Sequence, residues 1–375
     1  MHITIDRAAL VKALDRTTKI VERRQTIPIL ANVLLAADAN ILTVTATDLD
    51  LEARTEAAAE VHASGATTVS AHILFDIARK LPEAAQVSLA LDEGGTKLDV
   101  KAGRARFTLQ CLPPIDFPVR PGALEASHRF NLPVKSLVET LSQVSFAMLN
   151  EETRYYLNGI LLRLLPESGF FHAVATDGHR LARRKLPAPP IEAANGAAFP
   201  DIILPRKAVN EILRLGKDGE GDAAIEVSDR MIAVTFGATR ISSKLINGTY
   251  PDYERVIPQG NEKIALLDRD LAIAAADRVM AIAQEKGRSL RLEFAGGTLT
   301  LSVTDASSGN AVEEIEAEYE AAPLTIGFNA RYFHEVLSCL SADTCRVALA
   351  DPGSPTLFMD NEAAPLLIVL MPMRV

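Results

Sequence analysis

Hydrophobic and polar positions alternate in short runs along most of this 375-residue chain. Ile3–Ile5, Phe130–Leu132 and Ile264–Leu266 are such runs, and their period of two predicts short strands. Each leads into a stretch with helical spacing. In the first, Leu10, Leu14, Thr17-Thr18 and Val21 fall on one face. Asp6, Pro133 and Asp268 stand where an N-cap or first-turn residue belongs. A second strand–helix pair starts near Val69, Leu204 and Ile326. The six helical windows are 6–24, 70–81, 133–152, 205–217, 267–288 and 330–341. Between them, "NILTVTATDLDLEA", "GFFHAVATDGHRLA" and "GGTLTLSVTD" read as antiparallel strands.

The pattern occurs three times. Thr-Asp pairs stand at 47–48, 176–177 and 304–305, in steps of 129 and 128. Other columns keep the step: Leu10, Leu137 and Leu271; Asp76, Glu211 and Glu335. "LQCLPPIDFP" and "SSKLINGTYP" match at Phe117-Pro118 and Tyr250-Pro251. A triplication is the simplest account. It predicts three tandem similar domains, 1–121, 128–258 and 260–375, with "FPVRPGALEAS" as a Pro/Gly linker. Each is α+β, with two helices packed on antiparallel sheets of about eight strands.

Composition narrows the function. Cys111, Cys339 and Cys345 are scattered, which fits a reducing cytoplasm, and no His/Cys spacing suits a metal. No cofactor motif is present. "MHITIDRAAL" is not a signal peptide, and no apolar run approaches a membrane span. The formal net charge of −9 argues against a simple nucleic-acid binder. Yet the six helical windows carry 18 Lys and Arg against 13 Asp and Glu, +5, and the remainder carries −14. That division suits a helical basic face that touches phosphates weakly while the rest repels polyanions.

One stretch gathers reactive side chains: "AVATDGHRLARRKL", with Asp177, His179 and Arg180. An acid and a base two apart on a strand share a face. No nucleophile motif, metal set or Gly-rich phosphate loop accompanies them, so a hydrolase is the weaker reading. Because the Thr-Asp pair recurs in every repeat, Asp177 is expected to cap backbone N–H groups in a turn. Gly178 to Leu181 are individual to the second repeat. A plain protein-binding repeat scaffold is a third reading, which the basic helices disfavour.

"RYYLNGI" (Arg154–Ile160), "ATDGHRLA" (Ala175–Ala182), "YPDYERVIP" (Tyr250–Pro258) and the terminal "LMPMRV" closely resemble the bacterial β sliding clamps, the processivity subunits of DNA polymerase III. The resemblance spans the whole chain. It implies a non-catalytic homodimer, a closed head-to-tail ring around double-stranded DNA. It implies partners that carry short peptides, often Gln-x-x-Leu-Phe: the polymerase III catalytic subunit, the clamp loader, other DNA polymerases and repair proteins. Loading would fall to a separate ATP-driven machine. The implied peptide cleft, between the second and third domains, comprises Arg154, Leu157, Thr176, Gly178, His179, Arg180, Leu181, Pro251, Arg255, Val256, Asn329, Tyr332, Val369, Leu370, Met371, Pro372, Met373 and Arg374. The strand Leu366 to Leu370 would complete the last sheet, leaving the residues beyond it to bind. The implied DNA contacts are Arg24, Tyr155, Tyr156, Arg206, Lys207 and Arg288. Asn150, Glu151, His72 and Gly287 depart from the family pattern there. The implied dimer interface sets Arg104, Arg106, Phe107 and Leu109 against Ile282, Glu313, Glu314, Glu316 and Glu318, with a small Ala281 beside Ile282.

Overall fold

The computed structural model describes all residues except Gln25, 119–123, Asp218, 283–288, Ala306, Val375 and the Asn195 side chain. Part of the expected linker, together with Gly287 and Arg288, therefore lies outside the described residues. The α+β expectation holds: six α-helices accompany 26 strands among those described. The helices are α1 (Arg7–Thr18), α2 (Ala71–Lys80), α3 (Val134–Ser145), α4 (Arg206–Gly216), α5 (Arg269–Met280) and α6 (Ala330–Cys339).

Their starts follow from local chemistry. Asp6 caps α1 by accepting from the Ala8 and Ala9 N–H groups, and Asp268 caps α5 through Leu271. Pro133 instead ends a strand, and α3 begins one residue later. Three ends fall short of expectation, α5 stopping at Met280 within its 267–288 window. Helix α1 stops at Thr18 rather than 24, where Thr17 bonds back to the Ala13 carbonyl and Ile20 and Val21 close turns on Thr17 and Thr18. Helix α3 stops at Ser145 rather than 152, where Ala147 and Met148 close similar turns.

The compact units do not follow the three repeats. One comprises 1–138, 189–198 and 210–245; the other comprises 139–188, 199–209 and 246–375. The cause is sheet continuity. In the first unit, a 14-stranded sheet passes from repeat two into repeat one where Thr239–Lys244 pairs antiparallel with Leu51–Ala58. In the second, a 12-stranded sheet passes from repeat two into repeat three where Arg180–Pro187 pairs with Leu366–Leu370.

The two seams share a register. Leu51 lies opposite Ser243, and Arg180 lies opposite Leu370. Leu51 and Arg180 each stand three residues after the Asp of a Thr-Asp pair. Ile241 then faces Ala53 in one seam, and Ile368 faces Ala182 in the other.

The second unit is packed around Leu157, Leu161, Val174, Leu181, Tyr250, Tyr253 and Val369, which join repeats two and three in one core. Its edge strand approaches closely: a Cβ on Gly159 would stand 2.1 Å from the Leu204 carbonyl oxygen. That neighbour is backbone and cannot rotate away. Gly159→Ala is expected to destabilise the unit by about 3 kcal/mol, at the upper end of ordinary overpacking. Denaturant unfolding of the two proteins measures it.

Candidate functional site

The Thr-Asp turn is built alike in the first two repeats. Thr176 Oγ donates to the Arg180 carbonyl at 2.8 Å and accepts from the Gly178 N–H. Asp177 Oδ1 accepts from the His179 and Arg180 N–H groups at 2.9 and 3.0 Å. Thr47 and Asp48 repeat this with Leu51, Leu49 and Asp50. In repeat three, Asp305 accepts from Ser307 and Ser308. Asp177 is thus a turn residue, as its recurrence predicts. It bonds the backbone N–H of His179, not the ring, so the pair forms no acid–base couple.

The third turn position is left-handed, with φ +78° at Leu49 and +88° at Gly178. Glycine takes this conformation freely. A Cβ on Gly178 would also lie 3.2 Å from an Arg154 guanidinium nitrogen.

Arg180, expected on the cleft wall, lines the second cavity described below but is largely buried. It is 7 % exposed. Its Nε donates to Asp177 at 3.1 Å, one terminal nitrogen to Glu335 and the other to the Phe146 carbonyl at 2.7 Å. The guanidinium carbon stands 4.1 Å from the Tyr332 ring centre and 4.9 Å from that of Phe146. A buried cation needs such pairing, and losing one partner typically costs about 3–5 kcal/mol. Glu335 and Phe146 were missed as site residues. The signal for Glu335 was its place in the acidic column.

The tail leaves the sheet and lies across it. After the Leu366–Leu370 strand, the Met371 N–H donates to the His179 carbonyl at 2.9 Å, and that of Met373 to Gly327 at 2.7 Å. These bonds hold the backbone and leave Met371 and Met373 about 40 % exposed. A cavity of about 600 Å³ opens between Pro372, Met373, Arg374, Thr325, Gly327 and the Pro352-Gly353 loop. The last three elements were not expected from sequence. A second, about 430 Å³, is lined by Arg154, His179, Arg206, Arg331, Tyr332 and Met148.

The other cleft candidates divide by burial. Leu157, Leu181, Val369 and Leu370 are buried in the core, with Thr176 partly buried. Pro251, Arg255 and Val256 are exposed beside the buried Tyr250 and Tyr253, with Arg255 paired to Asp252 at 2.8 Å. The Asn329 side chain is committed elsewhere: it caps α6 by accepting from Arg331 and Tyr332. Glu151, where the sequence departs from the family, takes Arg154 in a 3.0 Å ion pair.

The DNA candidates also divide. Arg24 and Lys207 are exposed. Tyr155 is 52 % exposed, whereas Tyr156 packs against the second unit's core. Arg206 is partly buried, and one terminal nitrogen donates to the Met148 and Leu149 carbonyls at 2.7 and 2.8 Å. Burial holds its pKa below the usual arginine value. It secures the chain after α3. His72 bonds the Val21 carbonyl rather than presenting its ring freely.

Comparison with known proteins decides the family. Descriptions of the DNA polymerase III beta subunit N-terminal, central and C-terminal domains match residues 1–121, 131–252 and 254–374. The chain belongs to the DNA polymerase III beta subunit family. It is 44 % identical to the beta sliding clamp of Caulobacter vibrioides and 34 % to that of Escherichia coli K12, covering all of each. Among solved structures, a Bartonella birtlesii sliding clamp bound to griselimycin superposes with a TM-score of 0.94 at 42 % identity, over the full length of both chains. A Caulobacter crescentus beta sliding clamp with PEG bound also gives 0.94, at 43 % identity, covering 100 % of this chain and 99 % of that one. The function that comes with membership is that of a replication clamp, a non-catalytic subunit of DNA polymerase III.

In this clamp chain the expected dimer residues lie on strands with a bare edge. Ala105–Leu112, preceded by exposed Arg104, pairs with Lys97–Ala102 on one side; on the other, among the described residues, only Cys111 and Leu112 are paired. Gly309–Tyr319 pairs with Thr298–Asp305 on one side; on the other, among the described residues, only Ala317, Glu318 and Tyr319 are paired. Arg106 and Phe107 are exposed and Leu109 is partly so, as are Glu314, Glu316 and Glu318 against a partly buried Glu313. Glu313 is already held by Arg278 of α5, and Ile282 is half-buried just beyond that helix.

Below the tail, His172 is buried with Nδ1 2.8 Å from the Tyr253 hydroxyl. Burial, then the charges of Arg183, Lys185 and Arg163, push its pKa from 6.5 down to about 4. The fold therefore favours the neutral ring. That contribution is complete above pH 6.5, the unfolded value, and is lost as pH falls toward 4. His172→Gln should flatten the loss of stability across this window. Urea unfolding midpoints of both proteins between pH 7.5 and 4.5 check it; parallel curves would refute it.

Proposed function

We propose that two copies of this chain close head to tail into a ring around duplex DNA and tether a replicative polymerase to it. One observation carries the reading: the internal seams share a register, and the chain has two further strands, bare-edged, that fit it. Ala105–Leu112 follows the same two-residue hairpin as Thr239–Lys244, since Ala102 faces Ala105 as Phe236 faces Thr239. Gly309–Tyr319 matches the other side, since Val303 faces Ala311 as Ala46 faces Ala53 and Ala175 faces Ala182. Applying the seam register sets Phe107 opposite the partner's Ala311, as Ile241 faces Ala53 and Ile368 faces Ala182. It also sets Arg104 opposite the partner's Glu314, with Ala105 opposite the partner's Glu313. The contact is heterologous, and a heterologous contact that closes makes a ring.

A ring holds DNA by topology, so the modest basic charge of the helices suffices and an acidic remainder does no harm. Arg24, Lys207 and Tyr155 are the contacts this reading retains; Tyr155 is exposed enough to stack on an unpaired base. The dimer should remain on closed circular DNA and leave once the circle is cut. Equal retention on both forms, measured by gel filtration of the complexes, would refute the ring.

The tail cavities are read as the groove for clamp-binding peptides. Adaptable methionines suit several ligands, and the His179, Arg154 and Tyr332 side chains supply polar contacts. Deleting residues 371–375 should abolish binding of a labelled peptide ending in Gln-Ala-Ala-Leu-Phe while leaving a dimer of twice 40.4 kDa. Loss of the dimer instead, by light scattering, would make the tail an assembly element.

A further inference from the structure

Each repeat carries an acid on its later helix: Asp76 on α2, Glu211 on α4 and Glu335 on α6. Three residues on stand Arg79, Arg214 and Ser338. Asp76 pairs with Arg79 at 3.0 Å, and Glu211 with Arg214 at 2.8 Å. Each is thus neutralised on its own helix. Ser338 offers no charge; its hydroxyl donates to the His334 carbonyl at 2.8 Å. Glu335 takes Arg331 of its own helix at 2.8 Å and also, from another repeat, Arg180.

The two seams are therefore tied differently. At the first, Arg214 continues across to Asp15 at 3.3 Å and to the Arg16 carbonyl at 3.1 Å, joining helix to helix. Leu51 occupies the place of Arg180 there and makes no ionic tie. At the second seam the tie runs from a strand turn to α6, through a guanidinium flanked by Phe146 and Tyr332. Tyr332 lines the 430 Å³ cavity with His179, whose ring centre lies 6.3 Å away.

We infer that Glu335 is a positioning residue of the groove: one of its oxygens takes Arg331 of its own helix, the other holds Arg180, and Arg180 holds the Tyr332 ring. The inference deepens the peptide-groove reading and rests on it.

Three variants of the full chain test it: Glu335→Gln, Ser338→Arg and Ser338→Ala. Ser338→Arg restores the helix-internal pair seen in the other repeats and draws Glu335 away without removing it. Ser338→Ala removes only the hydroxyl. The Kd of the labelled Gln-Ala-Ala-Leu-Phe peptide should rise about tenfold in the first two and stay unchanged in the third, a size typical of coupling through an intermediate residue. The NMR signal of a ¹³C-labelled Tyr332 ring should move in the same two variants only. Unfolding midpoints show which variants retain the fold, and Ser338→Arg decides if Glu335→Gln does not. If the wild-type chain binds no peptide while the Tyr332 signal still moves, the peptide reading fails and the positioning of Tyr332 stands. Peptide binding that is unaffected by a folded Ser338→Arg, or a static Tyr332 signal, overturns the inference.

Discussion

Continuity of the antiparallel ladder from one repeat into the next is the constraint on which the remaining structure depends. A strand edge presents unpaired N–H and C=O groups, and proteins must cover or pair them. Here repeat two gives one strand to each neighbour, Thr239–Lys244 to the first repeat and Arg180–Pro187 to the third. Each compact unit is consequently one whole outer repeat fused through a sheet to part of repeat two. Each seam sets a bulky residue against alanine, Ile241 on Ala53 and Ile368 on Ala182. A slip of one residue would turn these side chains to the other face.

The Thr-Asp turns stand at the ends of those seam strands, which explains why they recur while their neighbours change. Asp48 and Asp177 spend their carboxylates on the N–H groups that start the strand. Once the turn is fixed by Asp177, the residues around it can vary. At the second seam they supply Gly178, His179 and Arg180, and the Met371 N–H uses the His179 carbonyl to dock the tail. One turn thus serves the fold through its aspartate and the groove through its neighbours.

Much of this was legible in sequence. The three Thr-Asp columns marked the triplication, and α2 and α6 fell within two residues of the expected windows because periodic segments announce themselves. Asn329 occupies the same strand–helix junction as Asp6 and Asp268, and it has the same capping duty. The regrouping into two units was not legible, since pairing between strands more than a hundred residues apart leaves no local periodicity. The partner of Arg180 was hidden for a related reason. Nothing near it in sequence announces Glu335, which stood out only as a member of the acidic column Asp76, Glu211 and Glu335.

The tail shows how a site can be adaptable without being loose. Its backbone is tied twice, Met371 to His179 and Met373 to Gly327, and it continues from Val369, which is buried in one core with Leu181 and Leu157. The ordering cost of the main chain is therefore met on folding rather than on binding, which leaves more of any contact energy as affinity. The exposed groups are thioethers, whose three rotatable bonds and polarisable sulfur fit differently shaped ligands. Arg180, by contrast, is buried and fixed against Tyr332. If the tail cavities are the peptide groove proposed above, they combine fixed and adaptable side chains, an arrangement that lets promiscuous surfaces re-pack around different ligands.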